Sequence, residues 1–224
     1  MAHKQKISLQ HRRLKMQKIR IKDFKAIKSA DIEIKKTVLL IGEQASGKST
    51  IAKLVYFFKS IKDDYLDLIS ENLESLNSKD EIQSKFWDVI KRKFYRFFGA
   101  IQHLPPFVIE YKYSEDKVFI LKQGIRDDGR KSLDINFMRP FFKKITEDVL
   151  QHIKRLQEIS AKRDIFTGST YRSALEQLSS YAEDLFEDKR QPLFIPAGRS
   201  ITVRDFRINS IPFFSDQWYM VFRI

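Results

Sequence analysis

Residues 42–50 read Gly42-Glu43-Gln44-Ala45-Ser46-Gly47-Lys48-Ser49-Thr50 and satisfy G-x-x-x-x-G-K-[ST] at every fixed position. The pattern constrains fold as much as chemistry, because it works only as the turn between a buried strand and the start of a helix. Both flanks comply. Thr37-Val38-Leu39-Leu40-Ile41 is a short β-branched and aliphatic run that predicts a buried strand. After the loop, Ile51, Leu54, Val55 and Phe58 recur at i, i+3, i+4 and i+7, which is one apolar face of a helix.

The residue types define a phosphate cradle. Gly42 and Gly47 let the backbone turn successive N–H groups inward around phosphate oxygens. The helix that starts near Lys48 adds free N–H groups and the positive end of its dipole at the same point. Lys48 is spaced to reach the β- and γ-phosphates, and Ser49 to offer its hydroxyl to Mg²⁺. Thr50 supports the α-phosphate side, and Glu43, Gln44, Ala45 and Ser46 complete the loop backbone. The expected ligand is ATP with Mg²⁺.

The 224 residues suffice for one large domain, and 42% hydrophobic content can bury a core. With no cysteine, disulfides and thiolate metal sites are excluded, and a reducing interior is the natural setting. No apolar run reaches membrane-spanning length and no signal-peptide core follows the N-terminus, so a soluble, cytoplasmic protein without membrane contact is expected. The formal charge is +13 and unevenly spread. Residues 1–36 hold twelve Lys or Arg against three Asp or Glu. Such an arm suits a polyanion, which makes DNA a candidate partner. Residues 1–15 lack periodicity and read as a solvated, disordered arm, with the ordered pattern starting at Met16.

Two short strands are expected before the loop. Ile19-Arg20-Ile21-Lys22-Asp23-Phe24 and Ala30-Asp31-Ile32-Glu33-Ile34 alternate apolar with charged residues and flank a short turn. From Ile19 to Phe58 the order is basic strand, aromatic residue near the turn, second strand, aliphatic run, glycine loop. This order resembles the N-terminal lobe of ABC-type ATPases of the SMC, RecF and OLD group, with Gln44 standing where that group usually has Asn. The resemblance covers roughly the first 60 residues. It implies an α/β P-loop NTPase lobe, ABC-ATPase-like, with an antiparallel β subdomain and helical insertions, in which ATP closes a dimer in DNA maintenance or phage defence. Phe24 is the candidate adenine contact by its place in strand order.

The rest of the chain divides by texture. Residues 60–104 read as a helical insertion, with Phe86, Trp87, Ile90, Phe94, Phe97 and Phe98 forming an apolar stripe; Lys91, Arg92, Lys93 and Arg96 between them leave nucleic-acid contact open, ranked below packing. Pro105-Pro106 breaks the helix, and residues 105–137 predict a three-stranded meander around Phe107–Tyr113, Lys117–Leu121 and Ser132–Phe137. Residues 138–190 return to helix. One face carries Phe141, Ile145, Val149, Ile153 and Leu156, and a second helix spans Tyr171–Phe186 after a Gly168-Ser169-Thr170 breaker. Residues 191–224 form a strand and tail. Ile195-Pro196-Ala197-Gly198-Arg199 resembles a segment of OLD-like defence ATPases, which makes Arg199 a phosphate or dimer-partner candidate or a surface ion-pair residue.

The hydrolytic parts are not identifiable. Turnover needs a Walker B strand ending in Asp and followed by Glu; Phe107-Val108-Ile109-Glu110 comes nearest but lacks the pair. Leu178-Ser179-Ser180-Tyr181 begins like the family signature but has Tyr where glycine is required. His3, His11, His103 and His152 show no metal-like spacing. The chain therefore reads as the N-terminal part of an incomplete ATPase core, completed by a homodimer or a partner chain. The alternatives are a nucleotide-gated nucleic-acid-binding module without hydrolysis and a P-loop kinase.

Overall fold

A computed structural model describes residues 16–35, 38–161, 167–190 and 192. Strand β1 (Gln17–Phe24) pairs with β2 (Ile27–Ile34), and β3 (Val108–Ser114), β4 (Lys117–Ile125) and β5 (Lys131–Phe137) form the meander. All five join one antiparallel sheet in the order β2-β1-β3-β4-β5. Period-two alternation sorts the side chains. Ile19, Ile21, Ile109, Tyr111, Tyr113, Phe119, Leu121, Leu133 and Ile135 are buried on one face. Arg20, Lys112, Lys122 and Asp134 take the opposite parity, and Arg20 bridges Asp31 and Glu110 across three strands. Glu110 is therefore a cross-strand ion-pair residue.

The buried face is covered by helices. Helix α1 (Lys48–Glu71) runs without a break through Ser60, and buries Leu54, Val55, Phe57, Phe58, Ile61, Tyr65, Leu68 and Ile69. The ring of Phe58 stacks on Tyr111 at 4.8 Å and meets Phe119 edge-on at 5.1 Å. The Tyr113 hydroxyl donates to the Phe58 carbonyl at 2.6 Å. Helix α2 (Lys79–Phe98) starts at a capping box, in which Ser78 accepts from the Glu81 N–H and Glu81 accepts from the Ser78 N–H. Its stripe is core. Phe86, Ile90, Phe94 and Phe98 are buried, with Trp87 and Phe97 packed against them. Phe24 belongs to the same cluster: it is 0% exposed and lies 4.9 Å from Phe107 and 5.4 Å from Phe98, so it is closed off from any nucleotide base.

After β5 the chain forms α3 (Arg139–Lys143), one π-helical turn (Lys144–Asp148), α4 (Leu150–Ala161) and α5 (Thr167–Leu185). The expected single helix is thus interrupted by the wider turn, and the spacing explains why. Phe141, Ile145, Val149 and Ile153 repeat every four residues, longer than the 3.6 of an α-helix, and one π turn lets all four stay in the core. Gly168-Ser169-Thr170, read as a breaker, lies inside the first turn of α5. Small residues are tolerated there because the first turn depends least on intrahelical bonds. Leu178 is buried in α5 and the Tyr181 hydroxyl donates to the Lys144 carbonyl at 2.6 Å, so the signature-like run packs helices together.

The stretch after α5 is fastened by a buried polar clasp. Lys59 binds Asp188 at 2.7 Å and the Gln17 side-chain oxygen at 3.0 Å, while Lys117 binds Glu187 at 2.5 Å. Gln17 donates to the Glu187 carbonyl, and Tyr111 donates to Gln17. One expectation fails here: the described part of the run 37–41 is not a buried strand. Residues 38–41 have no regular structure, and Leu39 and Ile41 are 56% and 83% exposed. An apolar run becomes a strand only when neighbouring strands supply hydrogen bonds, and no described strand pairs with it. Thr37, the arm 1–15, Arg199 and the tail lie outside the described residues.

Three carboxylates of α1, Asp63, Asp64 and Asp67, stand close together, with Lys93 ion-paired to Asp64. Burial, reinforced by the charges of Asp64 and Asp67 and offset by Lys62, pushes Asp63 up to about 6. Its folded-state pKa lies above the unfolded one, so its stabilising contribution is complete below about pH 4 and is lost as pH rises through about 6. Asp63→Asn is expected to raise Tm by about 2–4 °C at pH 7.5, and to leave it nearly unchanged at pH 4, in thermal melts followed by circular dichroism. A Phe58→Ala variant is expected to lose about 3–5 kcal/mol in urea denaturation.

Candidate phosphate-binding site

The loop is shaped by what packs beneath it. Gly47 is the residue before α1 and takes φ 89°, ψ 2°, a left-handed conformation that favours glycine. A Cβ placed on it would lie 2.7 Å from Ile27 Cγ1 and 4.0 Å from Ala26 Cβ. The tip of the β1–β2 hairpin is therefore the floor of the loop. Nothing in the residue pattern announced this, because the contact joins segments 20 residues apart and the hairpin turn, Lys25-Ala26, has no glycine or asparagine. Asp23 and Lys25 hold positive φ of 53° and 54° there, and Ala45 takes φ 63° in the loop itself.

Above this floor the loop closes on Lys48. Its ammonium donates to the Gly42 carbonyl at 2.7 Å, to the Glu43 carbonyl, and to Ser46 Oγ at 3.0 Å. The Ser46 N–H reaches back to the Glu43 carbonyl at 3.4 Å. The Ile51 N–H bonds the Gly47 carbonyl at 2.9 Å and starts the helix. Glu43, Gln44, Ala45, Ser46 and Ser49 are exposed, and Gly47, Lys48 and Thr50 are half-buried. All nine predicted residues, Gly42 to Thr50, thus form one continuous surface at the start of α1.

The start of α1 differs from that of α2 in one respect that matters chemically. Where α2 has its Ser78–Glu81 box, α1 has no side-chain cap and no acidic residue in its first turn. The first N–H groups of a helix have no intrahelical acceptor, so α1 offers its donors and its positive dipole end to an external acceptor. A cationic side chain, uncapped N–H groups and an exposed hydroxyl meet at one solvent-facing point. That donor set fits a polyphosphate, and the Ser49 hydroxyl fits the ion that accompanies one. Among the described residues no group of three or more His, Asp or Glu could hold a metal by itself.

A family model for the AAA ATPase domain matches residues 14–191. The chain belongs to the AAA ATPase domain family. No curated protein and no solved structure matches it. The match takes in the glycine loop and all five strands and five α-helices of the described residues, so the mixed α/β architecture and the loop fall within one family domain. Membership of this AAA ATPase family carries nucleotide binding, usually with Mg²⁺. Among the described residues no helix is long and apolar enough to cross a membrane.

Gly47→Ala is expected to destabilise the chain by about 1–3 kcal/mol in urea denaturation, since it combines a clash with a strained φ. The same substitution in an Ile27→Ala background should cost less, because the clashing atom is gone.

Proposed function

We propose that the chain binds ATP through Gly42–Thr50 as the N-terminal lobe of an SMC-, RecF- or OLD-like ATPase acting in DNA maintenance or phage defence. The observation that carries this reading is the Lys48 ammonium, drawn across the glycine loop by Gly42, Glu43 and Ser46 at the head of an uncapped 24-residue helix. The two strands before the loop, and the antiparallel sheet beside it, support an ABC-like arrangement over a kinase.

In this reading the N–H groups of residues 42–50 bind phosphate oxygens, Lys48 turns from the loop carbonyls to the β- and γ-phosphates, and Thr50 supports the α-phosphate side. Ser49 would hold Mg²⁺, which when bound neutralises charge on the β- and γ-oxygens. Phosphate oxygens compete well for Lys48 because they carry full charge and the loop carbonyls do not. Hydrolysis would need Walker B and signature residues that the segments recognised here do not supply. DNA is the proposed polyanion partner, favoured by the net charge of +13. The alternative, a nucleotide-gated nucleic-acid-binding module without turnover, is favoured because none of the described strands ends in an Asp-Glu pair; Asp80-Glu81 lies in the first turn of α2.

Mg²⁺-ATP titration of the 224-residue chain beside Lys48→Ala tests the assignment. The wild type is expected to bind, and the variant to lose at least about tenfold in affinity with an unchanged melting profile. Retained affinity in the variant overturns the site. Turnover that disappears with Lys48 would favour the ATPase over the binding module.

A further inference from the structure

Glycine at position 47 admits the conformation of the loop but does nothing to hold it. A glycine takes positive and negative φ about equally readily, so the value of 89° is kept by something outside the residue. The neighbour that meets it is Ile27. The position of a Cβ on Gly47 lies 2.7 Å from Ile27 Cγ1 and 3.4 Å from Ile27 Cδ1, so the isoleucine side chain fills the space directly beneath the glycine.

Ile27 is itself firmly seated. It opens β2, is 5% exposed, and pairs across the hairpin turn with Phe24. The Phe24 ring lies 5.8 Å from Phe94, 5.4 Å from Phe98 and 4.9 Å from Phe107. Among the described residues, three of the four non-glycine positions with positive φ belong to this junction: Asp23 and Lys25 in the hairpin and Ala45 in the loop. Such conformations persist only where the surrounding packing over-determines them. The hairpin tip is therefore a stiff support, backed by an aromatic cluster, and Ile27 is the part of it that reaches the loop.

Resting on the assignment of residues 42–50 to phosphate, we propose that Ile27 is a positioning residue of that site. By pressing on Gly47 it holds the loop N–H groups in their binding arrangement before any ligand arrives. The Lys48 ammonium attracts an anion from many loop conformations, whereas N–H groups bind only when already turned toward the phosphate oxygens. A loop ordered in advance is spared the ordering cost at the moment of binding. Shortening Ile27 opens a gap beneath Gly47 into which the loop relaxes, and the cost appears as lost affinity. The effect falls on the phosphate chain and not on the base, so ATP and inorganic tripolyphosphate are affected alike.

The test uses the full chain with Ile27→Ala, Ile27→Val and the volume-conserving Ile27→Leu, beside Ile135→Ala, a truncation of similar burial on β5 at the other end of the sheet. Mg²⁺-ATP and tripolyphosphate are titrated against each, with melting curves in parallel. Ile27→Ala is expected to lose about five- to tenfold in affinity for both ligands and Ile27→Val about two- to threefold, with Ile27→Leu close to wild type. Ile135→Ala is expected to melt earlier but to bind as the wild type does. In the nucleotide-free protein, amide exchange at Gly47, Lys48 and Ser49 should speed up in Ile27→Ala and not in Ile135→Ala. If Lys48→Ala loses ATP while Ile27→Ala binds it as the wild type does, the role of Ile27 is overturned and the loop assignment stands. Equal losses in Ile27→Ala and Ile135→Ala also overturn it, since they reflect core packing in general. If Ile27→Ala does not fold, Ile27→Val decides, and wild-type affinity there overturns the proposal. If the wild type itself fails to bind ATP, the loop assignment falls and the role of Ile27 with it.

Discussion

The packing of α1 on the sheet is the constraint on which everything else depends. A glycine loop has no rigidity of its own, and its geometry is inherited from the helix it opens. That helix is fixed by Phe58, stacked on Tyr111 and edge-on to Phe119, with its carbonyl bound by the Tyr113 hydroxyl. Aromatic pairs of this kind add directional preference to burial, so they set the rotation of α1 as well as its position. Rotation is what decides whether Lys48 faces the loop.

The polar clasp extends the same logic. Lys59 sits on α1 three turns beyond the loop, and it holds Asp188 and Gln17 in a region where most side chains are apolar. Charges there are tolerated because each donor is matched, and no buried side-chain polar atom among the described residues lacks a partner. One helix therefore touches the candidate phosphate site at its start and the chain leaving α5 at its middle. The sheet contributes Gln17 and Lys117 to the same clasp, so these two contact points are referenced to one body.

Much of this was legible from residue order where the signal is local. The alternation in Ile19–Phe24, the turn residues between the meander strands and the spacing from Ile51 to Phe58 each reflect a period that a single element enforces. The glycine loop was legible because its chemistry requires fixed residues at fixed spacing. What depended on distant partners was not. The apolar run at Val38–Ile41 looks like a strand, yet a strand is defined by neighbours. Phe24 looks available to a base by its place in the chain, yet Phe94, Phe98 and Phe107 enclose it. The Lys59–Asp188 pair joins residues 129 apart and the Gly47–Ile27 contact joins a turn to a loop; neither leaves a periodic trace.

The π turn at Lys144–Asp148 gives this domain an unusual tolerance of one change in chain length. It holds one more residue than an α-helical turn would, and that extra residue keeps the four-residue repeat of Phe141, Ile145, Val149 and Ile153 in phase with the core. Removing a single residue there would let the segment close into ordinary α-helix while leaving α4 on its present face. Closing the turn without removing a residue would instead rotate α4 by about 100° about its axis and swing Ile153 and Leu156 toward water. The wider turn thus lets the segment carry one residue more than an α-helix could without disturbing the packing on either side.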